Sequence, residues 1–284
     1  IPNTMKKLTL IIAFLFAIAP IAQAQISNLE KEALIDLYKS TNGESWNTTW
    51  NTNENVNTWF GVTVENNVVT GLQLNMNNLN GIIPSSIKNL KNLKVLDLGF
   101  NKISGIIPTE ITSINTLESI QLYMNQLEGE IPQSIGNLSN LKELVLFNNL
   151  LSGMLPTSIY KLTNLEVLHI SSNKMSGTIS ASIANLTKLN ILSFFDNSMY
   201  GKLPTEIGNL VNLKELALAN NLFEGAIPSQ LSKLLKLEIL LLNDNRLSGT
   251  INESIKTLPL LSVLDFTNNP KAIEILSNPV SITK

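Results

Sequence analysis

The chain has 284 residues, 44% of them hydrophobic, with 20 lysines and arginines against 22 aspartates and glutamates. That composition supports a real core, and the near-neutral charge argues against a nucleic-acid partner. Cysteine is absent and histidine occurs once, which excludes disulfides, thiolate catalysis, iron–sulfur clusters, cysteine-bound zinc and any multi-histidine metal site, so no cofactor is expected.

The N-terminus reads as a secretion signal over residues 5–24. Lys6 and Lys7 form its positive region, Leu8 to Ile18 its apolar run, and Ala22-Gln23-Ala24 a small-x-small cleavage site. A run of about 11 residues falls short of the roughly 20 that a membrane span needs. The expected mature chain starts at Gln25, has no membrane span after cleavage, and is secreted, periplasmic or at the cell surface. Residues 1–4 precede the expected initiator, Met5, and the leader looks bacterial.

Residues 25–68 read as a cap. The segment "NLEKEALIDLYKST" carries Leu29, Ala33, Leu34 and Leu37 at helical spacing and ends near Asn42-Gly43. Trp46, Trp50 and Trp59 follow. They are expected to pack as the cap's own core, with a sugar-binding tryptophan cluster as the sharper alternative.

From Val69 the chain repeats every 24 residues as LxxLxLxxNxLxGxIPxxIxxLxx, in eight full copies and a ninth partial one over 69–269. Position 9 is always asparagine: Asn77, Asn101, Asn125, Asn149, Asn173, Asn197, Asn221, Asn245 and Asn269. Position 13 is glycine in every full copy, and position 16 is proline in six of eight, with Ser180 and Asn252 as the exceptions. Positions 4 and 6, such as Leu144 and Leu146, alternate like a strand with one buried face. Positions 1, 11, 15, 19 and 22 add further apolar anchors. One copy cannot bury these alone, whereas stacked copies share a continuous core. The asparagines are expected to form a buried ladder that bonds backbone groups of adjacent coils. Asn148, one residue before Asn149, faces outward and is expected to matter little. Residues 270–284 are expected to be a short C-terminal cap or a truncated tail.

These motifs resemble the leucine-rich-repeat family. The LxGxIP element resembles the 24-residue subclass typified by plant receptor ectodomains and polygalacturonase inhibitors, and the W-x-GV motif at Trp59 resembles that family's N-terminal cap, without its flanking cysteines. The resemblance implies an α/β solenoid: a right-handed coil with a parallel β-sheet on its concave face, irregular or 3-10 return segments, and a small N-terminal helical cap.

Function is expected at the positions the repeat leaves variable. Positions 3, 5 and 7 point outward from the strands, and position 8 borders them. They carry Phe100, Tyr123, Met124, Phe147, His169 and Phe195, and the acids Asp97, Glu143, Asp196, Glu215, Asp244 and Asp265, but no lysine or arginine. Exposed aromatics and methionines are what interface centres favour. The binding patch is expected at Phe100, Tyr123, Met124, Phe147, His169 and Phe195, with Asp97, Glu143 and Asp196 around it. No catalytic residue is expected: Ser193 lies near His169, but regular strand positions supply neither a nucleophile elbow nor a pocket. No metal site is expected either, since no D-x-D-x-D loop occurs. The expected function is therefore a secreted, monomeric, non-catalytic module for a protein or peptide partner. A polysaccharide-binding or adhesion protein is the alternative. An ice-binding protein is a third reading, disfavoured by the irregular row Ser85, Thr109, Gln133, Thr157, Ala181, Thr205, Ser229 and Glu253.

Overall fold

A computed structural model describes residues 26–270 and the backbone of 280–281. The expected signal peptide and most of the expected C-terminal cap or tail lie outside the described residues.

Ser27 opens a helix over Asn28–Ser40 through a capping box: its Oγ accepts the Glu30 N–H at 3.2 Å, and the Glu30 carboxylate accepts the Ser27 N–H at 3.2 Å. Glu30 is buried, and its second oxygen accepts the Val69 N–H at 3.0 Å. One carboxylate thus ties the helix start to the first coil. Ala33, Leu34 and Leu37 are buried, as their spacing requires. Asn42, left-handed at φ 56°, turns the chain after the helix. Trp46, Trp50 and Trp59 then pack edge-to-face and stacked at 4.9 and 4.7 Å between centroids. All three rings are buried, and each indole N–H donates to a carbonyl, of Thr41, Phe60 and Asn51 respectively. Rings so buried and bonded are core and offer no face to a sugar.

Val62–Glu65 pairs antiparallel with Val68–Gln73 across Asn66 and Asn67, both left-handed as a type I′ turn requires. The first of these strands is the edge of the main sheet, and the second begins its parallel run. Eight further parallel strands follow in chain order, from Val95–Asp97 to Val263–Asp265, and Val280–Ser281 pairs antiparallel at the far edge. Register is constant: Leu144 sits opposite Ile120 on one side and Leu168 on the other. Positions 1, 4, 6, 11, 15, 19 and 22 are buried in all eight full copies. Each such side chain contributes about 1.5–3 kcal/mol of burial.

A second sheet, not anticipated from the repeat pattern, runs through positions 10–14. Eight short parallel strands, from Asn80–Gly81 to Arg246–Ser248, stack in the same order as the coils. Position 13 needs glycine there for two reasons. Its φ is positive, 75° at Gly105, and the preceding coil's position-14 side chain lies over it. At Gly129 an added Cβ would stand 3.0 Å from Ile106 Cγ2. The rest of the return is a 3-10 turn such as Ser85–Asn89, opened by the position-16 proline.

The asparagine ladder is present. Asn149 Nδ2 donates to the Leu122 carbonyl at 2.9 Å and the Leu146 carbonyl at 3.0 Å, while its Oδ1 accepts the Leu127 N–H at 3.0 Å. Asn125, Asn173, Asn197, Asn221, Asn245 and Asn269 repeat the pattern. Among the described residues no helix is long and apolar enough to cross a membrane.

Candidate functional site

The strands Ser119–Gln121, Glu143–Val145 and Val167–His169 lie side by side and set the side chains that follow them in register. Tyr123 and Phe147 stack at 4.9 Å between centroids and 12° between planes, and Phe147 and His169 stack at 4.6 Å and 25°. Three rings from three consecutive coils thus form one row. Tyr123 can lie flat because its neighbour is Gly99, where a Cβ would come within 2.4 Å of the ring. Phe195 is exposed one strand further on, beyond a buried hydroxyl pair, Ser171 and Ser193, at 2.7 Å. That pairing engages the serine nearest His169, while the imidazole itself stacks on Phe147.

The acids around the row are held by hydrogen bonds. Glu143 Oε2 accepts from Ser119 Oγ at 2.8 Å and Gln121 Nε2 at 3.1 Å, and Asp97 accepts the Gly99 N–H at 3.0 Å. Asp196 accepts from Asn220, and Asp244 from Asn268. The three ion pairs of the described residues involve none of these acids. Burial raises the carboxyls of Asp97 and Glu215, partly offset at Asp97 by its Gly99 hydrogen bond. Burial and then the Asp97 charge push the Tyr123 phenol up, against an opposing hydrogen bond from Asn75. Burial lowers the His169 imidazole. The surface is aromatic and negative, and among the described residues none of its acids is in an ion pair. Among the described residues no cluster of histidine and carboxylates could hold a metal.

The structure divides the residues singled out from the sequence into two groups. Tyr123, Phe147 and His169 come together on the main sheet, with Phe195, Asp97 and Glu143 on the same sheet. Phe100 and Met124 instead occupy position 8, as Asp196 does further along, and this position is left-handed in all nine coils, with φ between 51° and 56°. There they join Met76 along a groove of about 620 Å³, also lined by Asn47, Asn78, Asn101, Lys102, Asn125 and Asn148. Met76 and Lys102 were not among the residues picked out above. The signal that could have found Met76 is its place at the same repeat position as Phe100 and Met124.

Comparisons with known proteins agree with this architecture. The family described as leucine-rich repeat region matches residues 72–198, and leucine rich repeat matches 212–234 and 236–258, together more than half of the chain. A search of curated proteins finds no match. Among solved structures, the chain is similar to a plant peptide hormone receptor, RGFR1, in complex with RGF2 (34% identity, TM-score 0.66), covering 68% of this chain and 31% of the receptor. It is similar to the ectodomain of the Arabidopsis thaliana receptor kinase GASSHO1/SCHENGEN3 in complex with CASPARIAN STRIP INTEGRITY FACTOR 2 (29% identity, TM-score 0.73), covering 84% of this chain and 33% of that one. The chain therefore spans about a third of these ectodomains. It is also similar to a plant ice-binding protein (26% identity, TM-score 0.78), covering 86% of this chain and 80% of that one.

Proposed function

The chain belongs to the leucine-rich-repeat family, and we propose that it is a secreted, non-catalytic module that binds a protein or peptide on its concave main sheet. The observation that carries this reading is the stacked row Tyr123–Phe147–His169, set where the fold requires no aromatic. The surrounding acids favour a cationic or neutral partner over nucleic acid. The peptide hormone receptor in complex with RGF2 and the receptor-kinase ectodomain in complex with CASPARIAN STRIP INTEGRITY FACTOR 2 support the class of ligand. The row crosses the strands at a spacing of about 4.8 Å, which suits an extended segment.

The test is capture of partners from extracellular extracts, followed by titration of the captured protein against a Tyr123→Ala, Phe147→Ala double variant. Loss of about 1–4 kcal/mol of binding per central ring, with melting unchanged, is expected. Undiminished binding by the folded variant moves the site elsewhere. Binding only to a saccharide array favours a polysaccharide partner.

A second reading, ice binding, is favoured by the plant ice-binding protein, whose length this chain nearly matches. Against it, the position-17 row mixes Ser, Thr, Gln, Ala and Glu, where a flat threonine array is needed. Thermal hysteresis and recrystallisation assays on the purified protein decide it.

A further inference from the structure

Position 8 is left-handed in every coil, a conformation that asparagine and aspartate tolerate and bulky side chains resist. Asn148, Asp196, Asn220, Asp244 and Asn268 obey that preference in the later coils. Met76, Phe100 and Met124 violate it in the first three, and all are exposed, at 62, 47 and 36%. Nothing in the packing requires an apolar group there. Strained backbone bearing exposed apolar side chains in three successive coils points to a ligand.

The three side chains floor the groove of about 620 Å³, a volume typical of ligand sites. Asn47 closes one end, its Nδ2 donating to the Met76 carbonyl at 2.9 Å. The rim looks amide-rich, but most of its side-chain N–H groups are engaged. Asn78 donates to Ser45, and Asn101 and Asn125 belong to the ladder. Among the described residues, Lys102 and Asn148 are the polar side chains of this lining without an intramolecular hydrogen bond or ion pair. A sugar, which needs many polar partners, finds few here. Lys102 is the one ionisable group in the lining, which holds no acid.

We propose that this groove is a second site, seating an extended segment of a partner protein that carries a large apolar side chain beside a carboxylate. The apolar group packs on Met76, Phe100 and Met124, whose thioethers adapt to its shape. The carboxylate pairs with Lys102 Nζ, and the Asn148 amide supplies the second hydrogen bond. The groove adjoins the aromatic row but is lined by different side chains and does not depend on it. Its charge preference is the reverse of the row's.

The probes are N-acetyl-Gly-Phe, its C-terminal amide, and the cationic Gly-Phe amide. The readout is the methyl NMR signals of Met76 and Met124. N-acetyl-Gly-Phe is expected to shift both methyls saturably, with the amide about three- to fivefold weaker and the cation weaker still. Lys102→Gln should bring acid and amide to equal affinity. Phe100→Asn should abolish the shifts while leaving Tm equal or higher, since asparagine suits the backbone there. Phe147→Ala should leave the shifts intact, so failure of this site and failure of the concave site read separately. No saturable shift up to about 10 mM, where a millimolar site would be nearly filled, overturns the proposal. So does an equal response to the acid and the amide, a preference for the cation, an acid preference that survives Lys102→Gln, or saturation of the same methyls only by a saccharide.

Discussion

The Tyr160 hydroxyl accepts the backbone N–H of Ser180 at 3.0 Å, across the boundary between two coils. Ser180 stands where six of the eight full repeats have proline, so it carries an N–H that those coils lack. Tyr160 is buried and supplies the missing acceptor. Burial pushes its phenol up, partly offset by that same N–H. Tyr160→Phe should therefore lower stability by about 1–2 kcal/mol in urea unfolding, because it orphans the donor. Adding Ser180→Pro should recover most of the loss, since Ser180 already sits at φ −74°. If the single variant is as stable as the parent, the hydrogen bond contributes nothing.

The asparagine ladder separates two neighbours. Asn149→Ala should cost about 2–3 kcal/mol, because it leaves buried carbonyls and an N–H unpaired. Asn148 is exposed, and from the sequence it seemed dispensable, but its φ of 54° changes that expectation. Asn148→Ala should cost about 1 kcal/mol through backbone strain alone, and Asn148→Gly close to nothing. Comparable denaturation midpoints for the two Asn148 variants would show the strain to be negligible.

His169 is the single histidine, so its titration can be followed without assignment ambiguity. Burial between coils lowers its pKa below the ordinary 6.5. The folded state therefore prefers the neutral ring. The stability this contributes is complete above 6.5 and is lost as pH falls below that value and through the lowered one. Asp97 and Glu215, with raised values, act in the opposite sense, so the comparison must be made against His169→Phe. The parent should lose more stability than the variant between neutral pH and pH 5. Phe147→Ala, which uncovers the ring, should move the NMR midpoint back up.

The acids govern encounter more than residence. Replacing Asp97, Glu143 and Asp196 with their amides should slow association with a cationic partner and flatten its salt dependence, leaving dissociation nearly unchanged. Stopped-flow binding at two ionic strengths measures both, and a change confined to the off-rate would mean that these groups contact the ligand directly.

Much of this was legible in one sequence because a periodic fold repeats its constraints. Leu144, Asn149 and Gly153 each recur every 24 residues, so burial, ladder and turn stand out from the variable letters. The second sheet was hidden because only Leu151 of its strand points inward, and a single buried residue does not announce a period of two. Position 8 was misleading for the opposite reason. Phe100 and Met124 are residues that resist a left-handed backbone, so their chemistry pointed away from the conformation they adopt. That conformation turns them off the main sheet's row and into the groove. The stacking of His169 on Phe147 depended on contact between adjacent coils, which sequence alone leaves open.

From Asn101 onward each ladder asparagine reaches back to the coil before its own, and Asn77 reaches back to Thr48 of the cap: Asn125 bonds Leu98 and Ile103, and Asn149 bonds Leu122 and Leu127. The molecule is thereby given a mechanical direction. Peeled from its C-terminal end, it gives up one asparagine at a time and strands the polar groups of the coil left exposed. Force applied there should release chain in increments of one 24-residue turn, each with its own barrier, like a ratchet let down tooth by tooth.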